Sequence, residues 1–144
     1  MNNSYQEYLN FSHKLADAAS ETSMQYFRTS LDIDNKSDDS PVTIADKNTE
    51  LEIRSLVEKE YPNHGILGEE FDSSNPDADF VWVIDPIDGT RSYIAGHKDF
   101  GNLISLTHNK KPIIGIINCP AHKERWVGVI NKQSTYNQEF AKTS

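Results

Sequence analysis

The stretch Phe80-Val81-Trp82-Val83-Ile84-Asp85-Pro86-Ile87-Asp88-Gly89-Thr90 changes character at its midpoint. Its β-branched and aromatic first half reads as a buried strand, and the run ends abruptly in Asp85-Pro86. Beyond lie two carboxylates three residues apart, a proline that fixes the backbone, and a glycine that permits close backbone approach. Working outward, Gly65-Ile66-Leu67-Gly68 reads as a shorter strand, and it too ends in acids, Glu69-Glu70. Downstream, Phe100 to Thr107, Pro112 to Asn118 and Arg125 to Ile130 read as further strands, with Asn109-Lys110-Lys111 as the polar turn between the first two.

Upstream the period is helical. Tyr8, Phe11, Leu15, Ala18, Ala19 and Phe27 recur at spacings that put them on one buried face. Asp32 to Ser40 reads as a polar loop or hairpin, and Ser40-Pro41-Val42 as an extended connection, because proline disfavours the helical region for the residue before it. A second helix is predicted from Ile44, with Thr43 as N-cap and Asp46 in the first turn. Leu51, Leu56 and Val57 form its apolar side, Glu50 and Arg54 pair at i,i+4, and Tyr61-Pro62-Asn63-His64-Gly65 stops it. Two helices followed by mostly adjacent strands define an α+β fold, the helices packed on a mainly antiparallel sheet.

Composition narrows the function. The 144 residues, 36% apolar and 25% charged, suffice for one core without staples, and Cys119 has no second cysteine to pair with. The opening Met-Asn-Asn-Ser-Tyr-Gln has neither the basic nor the apolar region of a secretory leader, so a reducing, cytoplasmic setting is expected. The apolar runs Phe80 to Ile84 and Ile113 to Ile117 are too short to span a bilayer. A net charge of −8 repels a phosphate backbone, which argues against nucleic acid as partner. Between Glu69 and Asp88 the acids Glu69, Glu70, Asp72, Asp77, Asp79, Asp85 and Asp88 occur without a single Lys or Arg. Asp72, Asp77 and Asp79, set among Ser, Asn and Pro, read as a solvated loop; the others adjoin apolar runs.

Asp85 and Asp88 repel one another unless a cation or a shared proton neutralises them. A hard divalent ion with oxygen ligands meets that need, with the Ile87 carbonyl as a third oxygen from the same turn and Glu69 arriving from another strand. Gly89-Thr90 opens a short helix through Ser92 and Tyr93, whose free N–H groups suit a phosphate oxygen. Asp46 is placed to accept a hydrogen bond from Thr90 or from an attacking water and to orient it. Metal and phosphate held together suit phosphate-ester hydrolysis. Turn and capping chemistry is the alternative for Asp85 and Asp88, and an ordinary first-turn acid for Asp46. Other motifs fail: Asp32-Ile33-Asp34-Asn35-Lys36 lacks the glycine and glutamate of a calcium loop, Cys119-Pro120-Ala121-His122 lacks a second ligand pair, and His13, His64, His97 and His108 are scattered.

In their order and spacing, Thr43-Ile44-Ala45-Asp46, Gly68-Glu69-Glu70 and Asp85-Pro86-Ile87-Asp88-Gly89-Thr90 resemble the magnesium-dependent inositol monophosphatase family. Arg91-Ser92-Tyr93-Ile94, Phe100 to Leu106, Glu124 to Gly128, and Lys36 with Ser40-Pro41-Val42-Thr43 look most like its histidinol-phosphate phosphatase branch. The resemblance implies the first half of an αβαβα sandwich. It implies magnesium on Glu69, Asp85, the Ile87 carbonyl and Asp88, and phosphate on Asp88, Gly89 and Thr90. It also implies a catalytic group of Asp46, Glu69 and Thr90, and a flap near Lys36 that helps bind a further metal. The implied activity is hydrolysis of a small phosphate monoester, L-histidinol phosphate before inositol monophosphate. In the family a second α/β half contributes a Trp-Asp metal ligand; here Trp82 and Trp126 are each followed by Val, so residues 1–144 are expected to be the N-terminal half alone. Two further expectations follow: a silent half-domain that binds metal or a partner is the rival to an active enzyme, and an uncovered apolar sheet face favours a homodimer.

Overall fold

A computed structural model describes residues 4–29, 41–132, 134–137 and 139–140; Lys36, Ser40 and the Asp32 to Ser40 loop lie outside the described residues. Helices α1 (Ser4–Gln25) and α2 (Pro41–Glu60) precede strands β1 (Gly65–Leu67) and β2 (Phe80–Asp88), then the short helix α3 (Thr90–Ile94). Strands β3 (Gly101–His108), β4 (Lys111–Cys119), β5 (Glu124–Val129), β6 (Thr135–Tyr136) and β7 (Glu139–Phe140) follow. They form one sheet in the order β1-β2-β3-β4-β5-β6-β7. The β1–β2 pair is parallel and every other pair antiparallel, so the α+β expectation holds with a mixed sheet.

Both long helices cover one face of that sheet. Phe11, Leu15, Ala16 and Ala19 of α1 and Ile53 and Val57 of α2 pack with Trp82, Ile84, Ile104, Leu106, Ile114, Ile116 and Val127. The tight β3–β4 turn is made by Asn109 and Lys110, both at positive φ (51° and 69°), the backbone pattern that matches the twist of a two-residue hairpin loop; Lys111 already belongs to β4. A smaller cluster of Phe27, Val42, Ala45, Ile87, Tyr93 and Phe100 seals the end of the sheet beneath α3.

Three details depart from the sequence expectation. Helix α2 begins at Pro41 rather than Ile44, because proline's fixed φ is already that of a first helical residue. Pro41-Val42 is therefore helical rather than extended, Thr43 lies inside the first turn rather than at the cap, and Asp46 lies beyond that turn. Leu51 is 48% exposed, since burial on α2 repeats along Thr49, Ile53 and Val57 and turns Leu51 outward. Glu50 and Arg54 pair at i,i+4 as expected, at 2.9 Å, but on the buried side of the helix.

The opposite face of the sheet carries no helix among the described residues. Leu67, Ile117 and Trp126 are exposed there and, with Val83 and Leu103, line an open trough of about 780 Å³ that reaches Glu69 and Asp85 at one end. No described helix is long and apolar enough to cross a membrane.

Candidate active site

Strand β2 does not stop at Asp85 as its sequence suggests; it runs on to Asp88 through a bulge. Asp85 pairs with Leu103 and Asp88 with Gly101, so Pro86 and Ile87 together oppose Asn102 alone. Leu103 and Gly101 are two apart and share a face, and their partners Asp85 and Asp88 therefore share it too. Simple alternation would send residues three apart to opposite faces. Proline suits the bulge because it has no N–H to leave unpaired.

Asn102, fully buried, holds this bulge: its side-chain amide donates to the Pro86 carbonyl at 2.6 Å. Asn118 Nδ2 donates in turn to Asn102 Oδ1 at 2.9 Å, and Arg125 Nε donates to Asn118 Oδ1 at 2.9 Å. After Asp88 the chain reverses at Gly89, whose φ of 82° is left-handed, and Tyr93 N–H donates to the Gly89 carbonyl to start α3. A Cβ on Gly89 would lie 2.9 Å from the Asp99 carbonyl, so both conformation and space call for glycine.

The other acids reach this point by register. Leu67 of β1 pairs in parallel with Val83 of β2, so two residues further on Glu69 comes level with Asp85. The two carboxyls are in hydrogen-bonding contact. Burial, then the charges of Glu69 and Asp88, push the Asp85 carboxyl up to about 6, and Asp85 Oδ1 is buried with no hydrogen-bond partner. From α2 the Asp46 carboxyl is pushed up to about 7, first by burial and then by Glu70, Asp85 and Glu69, against the lowering effect of the Ile87 N–H that it accepts. Glu70 is also raised, by burial and then by Glu50 and Glu69.

The structure thus gathers Asp46, Glu69, Asp85 and Asp88, with Ile87 and Gly89 in the connecting backbone. Thr90 opens α3 with an exposed side chain, and Asp46 bonds the Ile87 N–H rather than Thr90. Among the described residues no three His, Cys, Asp or Glu side chains converge as a finished metal cage. The donors are nevertheless all oxygen, and one of them, Asp85 Oδ1, is buried amid like charge and unpartnered, the situation that a hard cation relieves.

Sequence reasoning missed the supports beneath this group. Asn102 and Asn118 read as two polar interruptions in apolar strands, and such interruptions are the signal of buried hydrogen-bonded amides. Glu50 lies one helical turn after Asp46 on the same side of α2, and it is fully buried.

A helix pair on one face of a mixed sheet, and a bulged acidic strand running into a left-handed glycine, are the architecture of a known phosphatase class. Residues 4–144 match the inositol monophosphatase family model, and the chain belongs to that family. It is 46% identical over 131 residues to the bifunctional phosphatase IMPL2, chloroplastic, of Arabidopsis thaliana, which covers 90% of this chain and 38% of that protein. It is 38% identical over 113 residues to the histidinol-phosphatase of Mycobacterium tuberculosis, covering 78% and 44%. Among solved structures, an inositol monophosphatase from Zymomonas mobilis superposes with a TM-score of 0.86 at 45% identity, covering 97% of this chain and 54% of that one. The chain spans about half the length of the relatives it matches.

Proposed function

We propose that this chain carries the metal- and phosphate-binding side of a Mg²⁺-dependent phosphomonoesterase acting on L-histidinol phosphate. The observation that carries the reading is the buried, unpartnered Asp85 oxygen in a carboxylate group built with Glu69 and Asp88. Glu69, Asp85, Asp88 and the Ile87 carbonyl hold the cation. Magnesium there supplies positive charge to the phosphoryl oxygens and acidifies an attacking water. Asp88 orients the phosphate, the Gly89 and Thr90 N–H groups at the start of α3 receive its oxygens, and Asp46 with the Thr90 hydroxyl orients the water. The Ile87 N–H fixes the Asp46 carboxylate for that task. The choice of substrate is supported by the histidinol-phosphatases among the relatives.

Two other readings have their own support. Inositol monophosphate as substrate is favoured by the similarity to the Zymomonas mobilis protein. A half-domain that binds metal or assembles without turnover is favoured by the coverage of about half of each relative, and the exposed Leu67, Ile117 and Trp126 favour pairing of two copies in solution. The deciding experiment measures phosphate release from both substrates, with and without Mg²⁺, by this chain and by a version extended to the relatives' length. The proposed function requires Mg²⁺-dependent release that Asp88→Asn abolishes and that favours histidinol phosphate at least tenfold. The reverse preference establishes inositol monophosphate, and release by the extended protein alone establishes the silent half-domain.

A further inference from the structure

We propose that Glu50 is a positioning residue for Glu69, acting through the backbone of residues 69–71 rather than by touching metal or substrate. The inference rests on the metal reading above. Glu50 Oε1 accepts the N–H groups of Glu69 at 2.9 Å and Glu70 at 3.0 Å, and Oε2 accepts that of Phe71 at 3.2 Å and Arg54 Nε at 2.9 Å. Three successive backbone N–H groups form an anion-binding concavity, and a side chain of the same molecule fills it. Arg54 closes the bracket from above: its Nη2 donates to the Phe71 carbonyl at 3.1 Å and its guanidinium lies over the Phe71 ring. Glu50 is fully buried and Arg54 nearly so.

The arrangement is specific for a carboxylate. Four N–H donors meet two oxygens, and a carboxylate accepts on both while an amide accepts on one. The neighbouring sequence is fitted to it, since a Cβ on Gly68 would lie 2.4 Å from the Glu50 carboxyl. The loop after β1 has no helix of its own to hold it and turns on this bracket, so where Glu50 sits decides where the Glu69 carboxyl stands relative to Asp85. Asp46 lies one turn earlier on α2, so one helix sets both the water-orienting acid and the loop of a metal ligand. A bond that orients a metal-binding group changes affinity typically 10- to 100-fold when lost.

The test uses Glu50→Gln, Arg54→Lys and, as a structural control on the same helix face, Ile53→Val. Mn²⁺ binding is followed by electron paramagnetic resonance, and amide hydrogen exchange is read at Glu69, Glu70 and Phe71. Glu50→Gln should lower Mn²⁺ affinity by about tenfold or more and speed exchange at those three amides. Arg54→Lys should act in the same direction but less, and stands in if Glu50→Gln fails to fold. Ile53→Val should lose thermal stability while keeping Mn²⁺ affinity. Folded Glu50→Gln and Arg54→Lys proteins that bind Mn²⁺ like the parent overturn the proposal alone. A parent that binds no Mn²⁺ overturns the metal reading and this inference with it, and accelerated exchange then shows a bracket with a purely structural role.

Discussion

Asp46 and Ile87 are joined across the boundary between helix and sheet: the Asp46 carboxylate of α2 accepts the backbone N–H of Ile87 in the β2 bulge. The bond ties the helix to the turn that presents Asp85 and Asp88, and it places a buried carboxyl among other acids. Proton uptake in the folded state follows directly from that crowding.

Asp46 is raised from 3.8 to about 7 and Asp85 from 3.8 to about 6. A carboxyl raised on folding binds its proton more tightly in the native state, so its stabilising effect is present at low pH. It is lost as pH rises through the folded value. His64 and His13, lowered chiefly by burial, act with the opposite sign below about 6.5. Asp46→Asn isolates the carboxyl: it should raise the Tm near pH 8 and gain progressively less toward pH 5. Thermal scans of both proteins across that range check this, and a parallel pair of curves refutes it.

Asn102→Ala removes the side-chain donor to the buried Pro86 carbonyl, while the Asn118 amide loses one acceptor but keeps Ser20 Oγ at 2.7 Å. The expected loss is about 2 kcal/mol, read from urea unfolding. A loss below about 1 kcal/mol means that water replaces the amide.

Gly89→Ala should cost at least about 1–2 kcal/mol for a left-handed backbone, beyond the crowding at the Asp99 carbonyl. It should also weaken binding of inorganic phosphate. Gly115→Ala, where a Cβ meets nothing within 4 Å, should stay within about 0.5 kcal/mol of the parent. Equal effects at the two glycines contradict the assignment of Gly89.

Ile117→Lys places a charge on the open sheet face, where the side chain is already half exposed. Stability should change by no more than about 0.5 kcal/mol, while sedimentation should shift from dimer toward monomer. A parent that sediments as a monomer removes the basis for pairing through this face.

Much of this was legible in the sequence because the signals are local. The apolar run Phe80 to Ile84, the helical period of α1 and the acids after two strands are read within a few residues, and these elements form where their patterns put them, although Phe27 falls past the end of α1, α2 starts at Pro41 and β2 runs on to Asp88. What escaped is what depends on tertiary registry. Asn102 opposes the bulge only because β3 pairs with β2 in that register. Glu50 looks like any helix acid paired at i,i+4 until the loop at 69–71 brings it three amides. Burial of a charge is decided by what packs on it, and helical spacing alone puts Glu50 and Leu51 on equal terms.

The bulge at Pro86 and Ile87 has a consequence for how this gene tolerates change. Because Asp88 shares a face with Asp85 only through the extra residue, the site is encoded in a count as much as in identities. An in-frame gain of a single codon beside Asn102 in β3 would keep every acid, give Pro86 and Ile87 a partner each and return β2 to plain alternation, swinging the second carboxylate toward the face of Phe27 and Phe100. Substitution surveys would score this strand pair by its side chains, while its most damaging lesion is a shift of length.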